Sequence, residues 1–246
     1  MNIGIIGAGA MGGGLASKLI KLGHSVAIAN SRGPASLKQL AANIGVETTT
    51  VEEVVKNKQL IIIAIPQKSI ADLPENLFKQ LPEGIAVIET GNYYPNLRDG
   101  MIPALEQSGI DSLWVQEQLG VPVTKAFNSI LAESLQELGR PKGAKDRIAL
   151  PVSGDDTTAK EMVGKLVDEL GFDPFDLGPI AQSWMQQPGS FIYCRDLPVR
   201  ELKQRVDTMK ARSDMRAVVG ARRLADEALM KKDYAAYLKS LQDPVL

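Results

Sequence analysis

Ile3-Gly4-Ile5-Ile6-Gly7-Ala8-Gly9-Ala10-Met11-Gly12 is the stretch that decides the fold. A short β-branched run leads without interruption into a glycine turn of the form GxGxxG, and from Leu15 to Leu22 apolar residues recur three and four apart, the spacing of a helix. A second β-branched run, Val26 to Asn30, ends roughly 20 residues further on, where such strand-turn-helix units place a residue that reads a ribose. In that reading Gly7 allows the tight turn, Gly9 lets a pyrophosphate approach the backbone, and Gly12 lets helix and strand pack closely. The phosphate charge would rest on the N–H groups at the helix N-terminus.

The same alternation continues along the chain. Leu60 to Ile65, Ile85 to Glu89, Val121 to Phe127 and Ile148 to Val152 read as further strands, while Ala35 to Ile44 and Thr158 to Leu170 read as crossover helices. Gly23, Gly45 and Gly171 stand where helices stop. Leu60-Ile61-Ile62-Ile63-Ala64-Ile65 is apolar on both alternating faces, which predicts a central strand covered by helices on both sides. From about Ser190 the strand signal disappears, and Val199 to Leu241 predicts two or three helices. The expected architecture is α/β, a doubly wound parallel sheet with a small C-terminal part and a helical tail. Residues 1–172 are expected to bind the cofactor, and residues 173–246 to form the acceptor side and the tail.

Composition narrows the function classes. The chain has 246 residues and 44% hydrophobic residues, enough for a sizeable core. Its 28 Lys and Arg against 29 Asp and Glu leave a net charge of -1, with no overall attraction for a nucleic acid. Cys194 is the single cysteine, which excludes an internal disulfide or a cysteine-based zinc cluster and fits a reducing compartment. No metal site is expected. No run approaches the roughly 18 apolar residues that span a bilayer, and no leader pattern opens the chain, so a cytoplasmic protein without a membrane partner is expected.

Selectivity between the two nicotinamide cofactors is written at the end of the second strand, because an Asp or Glu there accepts hydrogen bonds from a free ribose 2′-OH. Here neutral Asn30 is followed by Ser31 and Arg32, a hydroxyl and a guanidinium where a 2′-phosphate would sit. That predicts NADP(H).

Further motifs join the fingerprint: Ala64-Ile65-Pro66, Lys125-Ala126-Phe127-Asn128-Ser129, Gly154-Asp155-Asp156 and the stretch from Gly171 to Pro179. Together they resemble the NADP oxidoreductase family named for coenzyme F420, a deazaflavin, and they are similar to the cytosolic NADPH-oxidising domain of membrane metalloreductases. The likeness covers roughly residues 1–190; the helices after Val199 depart from the family pattern. The resemblance implies a Rossmann-like domain with a cleft in which a planar acceptor stacks on the nicotinamide. It places Ala8, Gly9, Ala10 and Met11 at the pyrophosphate, and Ser31 and Arg32 at the 2′-phosphate. Ala64, Ile65 and Pro66 would border the ribose and nicotinamide, with Phe127 and Asn128 at the ring and Asn128 orienting it. A small-molecule redox acceptor and a homodimer are the implied partners.

Hydride transfer between two planar rings asks for contact and exclusion of water, so a strong general base is optional. The only histidine, His24, lies in a turn remote from strand C-termini and reads as structural. Asp155 and Asp156 precede an apolar-periodic run and read as a helix cap more than an acid/base pair. The direction of Lys125 stays open, with Val123 and Phe127 expected on its face of the strand. Tyr93 and Tyr94 form either a lid or a packed loop, and Trp184 and Met185 line either the acceptor pocket or a helix face. From Ser190 to Lys232 there are 11 basic and 6 acidic side chains, a solvated face or an attraction for an acidic tail. Two other functions fit the opening motif: a pyrroline-carboxylate or β-hydroxyacid type reductase, and a non-catalytic NADPH-binding redox sensor.

Overall fold

The computed structural model describes residues 1–79, 81, 82 and 84–242. Among these, β1 (Asn2–Ile6), β2 (Ser25–Ala29), β3 (Glu47–Thr48), β4 (Leu60–Ile63), β5 (Ala86–Glu89), β6 (Thr124–Lys125), β7 (Ala149–Ser153) and β8 (Asp173–Gly178) form one sheet in the order β3-β2-β1-β4-β5-β6-β7-β8. Neighbouring strands run parallel except β6 and β7, which meet antiparallel at Lys125 and Ser153. The helices are α1 (Ala10–Lys21), α2 (Lys38–Ile44), α3 (Val51–Val54), α4 (Pro103–Ser108), α5 (Asp111–Leu119), α6 (Ala132–Glu137), α7 (Thr157–Glu169), α8 (Val199–Lys210), α9 (Met215–Lys232) and α10 (Tyr234–Ser240). This is the Rossmann-like α/β architecture expected from the sequence.

Period-two alternation explains why the central strands are apolar throughout. Leu60 and Ile62 of β4 join Ile3 and Ile5 of β1 on the face covered by Leu15 and Leu19 of α1 and Val163 and Leu166 of α7. Ile61 and Ile63 point the other way, against Val54, Leu105, Trp114 and Val115. Each β4 residue is buried, and β4 lies between β1 and β5, as its pattern predicts. The order of strands reverses between β1 and β4, so their C-terminal ends open a crevice.

Two stretches differ from expectation. The run Val121 to Phe127 yields only two strand residues, because Phe127 takes the left-handed conformation at φ 61° and turns the chain. Val123 therefore packs on the α5 side of the sheet and Phe127 on the α1 side. Conversely, Asp173-Pro174-Phe175-Asp176-Leu177-Gly178 forms β8, an edge strand whose half-exposed polar pattern carries little strand signal. The sheet thus continues past Phe172.

The tail is three helices, and the chain that enters it lies beside the start of β7. Ala149 N–H donates to the Leu197 carbonyl, and Ile148 forms a single antiparallel bridge with Pro198. Leu202, Val206, Met209 and Met215 bury against Leu177, Met185 and Phe191, and Tyr237 and Leu241 close over Tyr193 and Cys194.

Candidate functional site

The glycine turn after β1 is forced by close approach. Gly7 sits at φ 112°, and a Cβ there would lie 2.2 Å from the Ala64 carbonyl oxygen. A Cβ on Gly12 would lie 2.0 Å from the Gly7 carbonyl oxygen, so α1 can start here only with glycine at that position. Gly9 is different: a Cβ there meets nothing within 4 Å. Gly9 is also the N-cap of α1 and provides no side-chain cap, and no acid occupies the first turn. The result is an open cradle facing helix N–H groups that lack a side-chain partner.

On one side of this cradle lies a cavity of about 490 Å³, lined by Asn30, Ser31 and Gly33 after β2, Thr50 to Glu52, and Ile65, Pro66, Ser69 and Asp72 to Pro74. The Asn30 carboxamide shapes the loop: it accepts from the Arg32 N–H at 3.0 Å and donates to the Ser36 hydroxyl at 3.0 Å. Ser31 and Arg32 are exposed, and the Arg32 guanidinium makes no hydrogen bond or ion pair among the described residues.

On the other side lies a cleft of about 340 Å³. Gly9, Ala10, Met11 and Ala64 line one part of it, Ile65 and Pro66 are shared with the first cavity, and Phe127, Asn128, Tyr94, Tyr193 and Cys194 close it. The structure therefore brings the glycine turn, the Ala64-Ile65-Pro66 segment and the Phe127-Asn128 pair to one crevice at the strand C-termini. Phe127 and Cys194, both on this wall, hold φ values of 61° and 51°, a conformation that costs non-glycine residues about 1–3 kcal/mol each. Asn128 is buried and spent internally. Its amide donates to Asn92 Oδ1 at 3.0 Å and the Gln186 carbonyl at 2.7 Å, and its oxygen accepts from Gln186 Nε2 at 2.8 Å. With both amide hydrogens committed, it has none to offer a ring.

The direction of Lys125 is settled by what lies beneath the cleft. Lys125 and Glu89 are register partners on β6 and β5, their side chains 0% and 1% exposed, and Lys125 Nζ donates to Glu89 Oε2 at 2.6 Å. The same ammonium donates to the Gly91 carbonyl at 2.6 Å, while Glu89 Oε1 accepts from the Gly91 N–H at 2.6 Å and Oε2 from the Ser112 hydroxyl at 2.9 Å. Together the pair clamps both sides of the Gly91 residue, which is part of the cleft floor. Sequence reasoning missed Glu89; the signal was opposite charge at the ends of two apolar runs.

Asp111, at the start of α5, is fully buried beside this pair, accepting from the Tyr93 N–H at 3.3 Å with one oxygen unpartnered. Burial pushes its carboxyl up to about 6, against the opposing pull of the Lys125 and Arg223 charges. Between pH 4 and 6 the folded chain holds a proton that the unfolded chain has lost, so this group's stabilising contribution is complete below about pH 4 and falls as pH rises through 6. Asp111→Asn should therefore stabilise the protein by about 1–3 kcal/mol at pH 8 and not at pH 4. Urea melts of parent and variant at both pH values measure it; an equal shift at both would show that the carboxyl's charge is not the cause.

Other candidates fall away from the crevice. His24 Nδ1 lies 3.0 Å from the Met1 amine and Nε2 lies 3.0 Å from Glu169, a structural bridge as expected. Asp156 caps α7 through the Ala159 N–H, and Asp155 accepts from the Ile180 N–H, so they form no acid/base pair. Met185 is core, and Trp184 lines a separate groove beside α9 instead of the cleft. Tyr93 is a packed loop residue, its hydroxyl accepting from the Ile102 N–H and donating to the Gly100 carbonyl, whereas Tyr94 stands in the cleft wall. Among the described residues no group of three or more His, Cys, Asp or Glu could hold a metal ion, and no helix is long and apolar enough to cross a membrane.

Residues 2–93 match the family described as NADP oxidoreductase, coenzyme F420-dependent. The hypothetical protein SMa0349 of Sinorhizobium meliloti is 31% identical and superposes with a TM-score of 0.64 over 79% of this chain and 93% of its own. The chain belongs to the coenzyme F420-dependent NADP oxidoreductase family. Its cofactor is NADP(H), as the family name states. A structure from Arthrobacter sp. FB24, described as an F420 dependent NADP-reductase, resembles this family member at 25% identity, with a TM-score of 0.62 over 75% of this chain and 87% of its own. The metalloreductase STEAP3 of Rattus norvegicus is 28% identical over 182 residues, 74% of this chain and 35% of that protein. The Escherichia coli protein YjhV is 45% identical over 56 residues, 23% of this chain and 41% of that protein. The matched parts thus span less than half of either curated relative. A pyrroline-5-carboxylate reductase of Coxiella burnetii shares the fold over 99% of this chain, with a TM-score of 0.52 at 15% identity.

Proposed function

We propose that the protein passes a hydride between NADPH and a planar redox acceptor, a deazaflavin, flavin or similar ring, held in the cleft beside Phe127. The observation that carries this reading is the make-up of the cleft: mostly small, apolar and aromatic side chains, with Thr90, Asn92 and Asn128 the neutral polar ones besides the tyrosines and Cys194, and Arg98 the one charged side chain among its described lining residues. Among the described residues lining this cleft there is no histidine or carboxylate, which suits a reaction whose chemistry the cofactor supplies. When bound, NADPH contributes the hydride; the chain's work is to bind, align and keep water out.

The open cradle at Gly9 fits a pyrophosphate, whose charge Ala8, Gly9, Ala10 and Met11 would take on backbone N–H groups, with Gly7 and Gly12 shaping the turn. The free guanidinium of Arg32 and the Ser31 hydroxyl fit a 2′-phosphate, on a loop that Asn30 braces. Ala64, Ile65 and Pro66 would border the ribose and nicotinamide, Ile65 and Pro66 lining both cavities, and Phe127 the ring. Asn128 fits a positioning role, tying Asn92 and Gln186 to the cleft wall, in place of direct contact with the ring. In this reading residues 1–172 supply the cofactor side, and the segment after β8 supplies Tyr193 and Cys194 to the acceptor side.

Arg32→Ala should weaken NADPH binding about tenfold to a hundredfold while leaving NADH affinity unchanged, since a charge-assisted phosphate contact contributes about 1.5–3 kcal/mol. Fluorescence titration with both cofactors is the check, and a variant that kept its preference for NADPH would remove Arg32 from the site. The function itself is tested by NADPH oxidation with deazaflavins, flavins, quinones and ferric chelates as acceptors. Turnover with a ring acceptor is expected; tight NADPH binding with no turnover on any of them would favour a redox sensor.

A further inference from the structure

We propose that Tyr94, backed by Tyr193, donates a hydrogen bond to a carbonyl of the redox acceptor and stabilises the negative charge that hydride addition places there. This rests on the acceptor reading above.

The two phenols reach the cleft from opposite parts of the chain, Tyr94 from the loop after β5 and Tyr193 from the segment before α8, and their hydroxyl oxygens are 2.6 Å apart. One hydroxyl hydrogen is spent in that contact. Tyr193 is 5% exposed and enclosed with Tyr237, Cys194 and Leu241, whereas Tyr94 is only half-buried. With the more enclosed Tyr193 as the donor to Tyr94, the Tyr94 O–H is left for a ligand in the cleft. The Tyr94 hydroxyl makes no other hydrogen bond among the described residues. The Arg98 guanidinium, itself in the cleft lining, stacks 5.5 Å from the Tyr94 ring centroid and is paired with Asp99. Burial raises both phenols above the ordinary tyrosine range, so they remain donors at physiological pH.

Hydride addition to a flavin-like or quinone ring forms one new N–H, C–H or O–H bond and drives a π pair onto a conjugated carbonyl oxygen. NADPH leaves as NADP⁺, and solvent later protonates the reduced ring. Tyr94 keeps its own proton throughout; a donor already aimed at the oxygen needs no reorganisation as charge develops. Tyr193 acts through Tyr94 and is a positioning residue.

Tyr94→Phe and Tyr193→Phe in the full chain test this with three readouts. With riboflavin as acceptor, kcat should fall roughly tenfold to a thousandfold in Tyr94→Phe and less in Tyr193→Phe, with NADPH affinity and Tm unchanged. The primary isotope effect with 4-deuterated NADPH should rise in Tyr94→Phe, because the hydride step becomes more fully rate-limiting. Lumiflavin should bind the NADP⁺-loaded variant more weakly than the parent, read by flavin fluorescence. Turnover within twofold of an active parent, or a loss matched by equal loss of NADPH affinity, would overturn the proposal. A parent that neither binds lumiflavin nor reduces any ring acceptor would instead overturn the acceptor reading, and this inference with it.

Discussion

Gly9→Val is expected to abolish measurable NADPH binding while leaving the fold intact. The two halves of that expectation come from one geometric fact, the empty space around Gly9, where an added Cβ meets nothing within 4 Å. No other group of the chain comes within 4 Å of that Cβ position, so a side chain can leave the backbone there without a clash at its first carbon. The backbone at Gly9 is extended, at φ -77°, and valine adopts it without strain. A pyrophosphate lying on the N-terminus of α1 would need the same space, and losing that contact should cost at least a hundredfold in affinity, about 2.7 kcal/mol. Gly12→Val is the instructive contrast: its Cβ would meet the Gly7 carbonyl oxygen at 2.0 Å, so that variant should fail by unfolding the turn. Isothermal titration with NADPH and thermal melts of both variants separate the cases. Undiminished affinity in Gly9→Val would mean that the cofactor does not lie on this turn.

Lys125→Met should destabilise the protein by about 3–5 kcal/mol, the cost of leaving the Glu89 carboxylate buried without its counter-charge. The ammonium also holds the Gly91 carbonyl, so its loss opens a second unsatisfied group in the cleft floor. Combining Lys125→Met with Glu89→Gln should recover most of the loss, because glutamine carries no charge and its oxygen can still accept from the Gly91 N–H. Recovery should be incomplete, since the Gly91 carbonyl stays unpartnered. A double-mutant cycle by urea denaturation measures the coupling. A single variant within about 1 kcal/mol of the parent would show that water reaches the pair and screens it. Recovered stability without recovered NADPH oxidation would identify the clamp on Gly91 as what the cleft needs from this pair.

The sequence by itself determined the parallel core of the sheet and its crevice, but neither β8 nor the antiparallel meeting of β6 with β7. Ile3 to Ile6, the glycine turn and the doubly apolar Leu60 to Ile63 are local signals, because strand period, helix period and the absence of a Cβ act over a few residues. The same holds for the Asp156 cap and for the neutral Asn30-Ser31-Arg32 loop. Tertiary structure alone decided what depends on residues far apart in the chain. Glu89 and Lys125 are separated by 36 positions, and each by itself is a charge in an apolar run; only the register of β5 with β6 makes them a pair. Tyr94 and Tyr193, 99 positions apart, become a hydroxyl pair only because the segment before α8 returns to the strand ends. Asn128 shows the reverse: a strand-end amide that the family resemblance placed against a ring is consumed by Asn92 and Gln186 once the chain folds. Hydrogen-bond valence and charge pairing are settled by which groups meet in space, and periodicity carries no record of that.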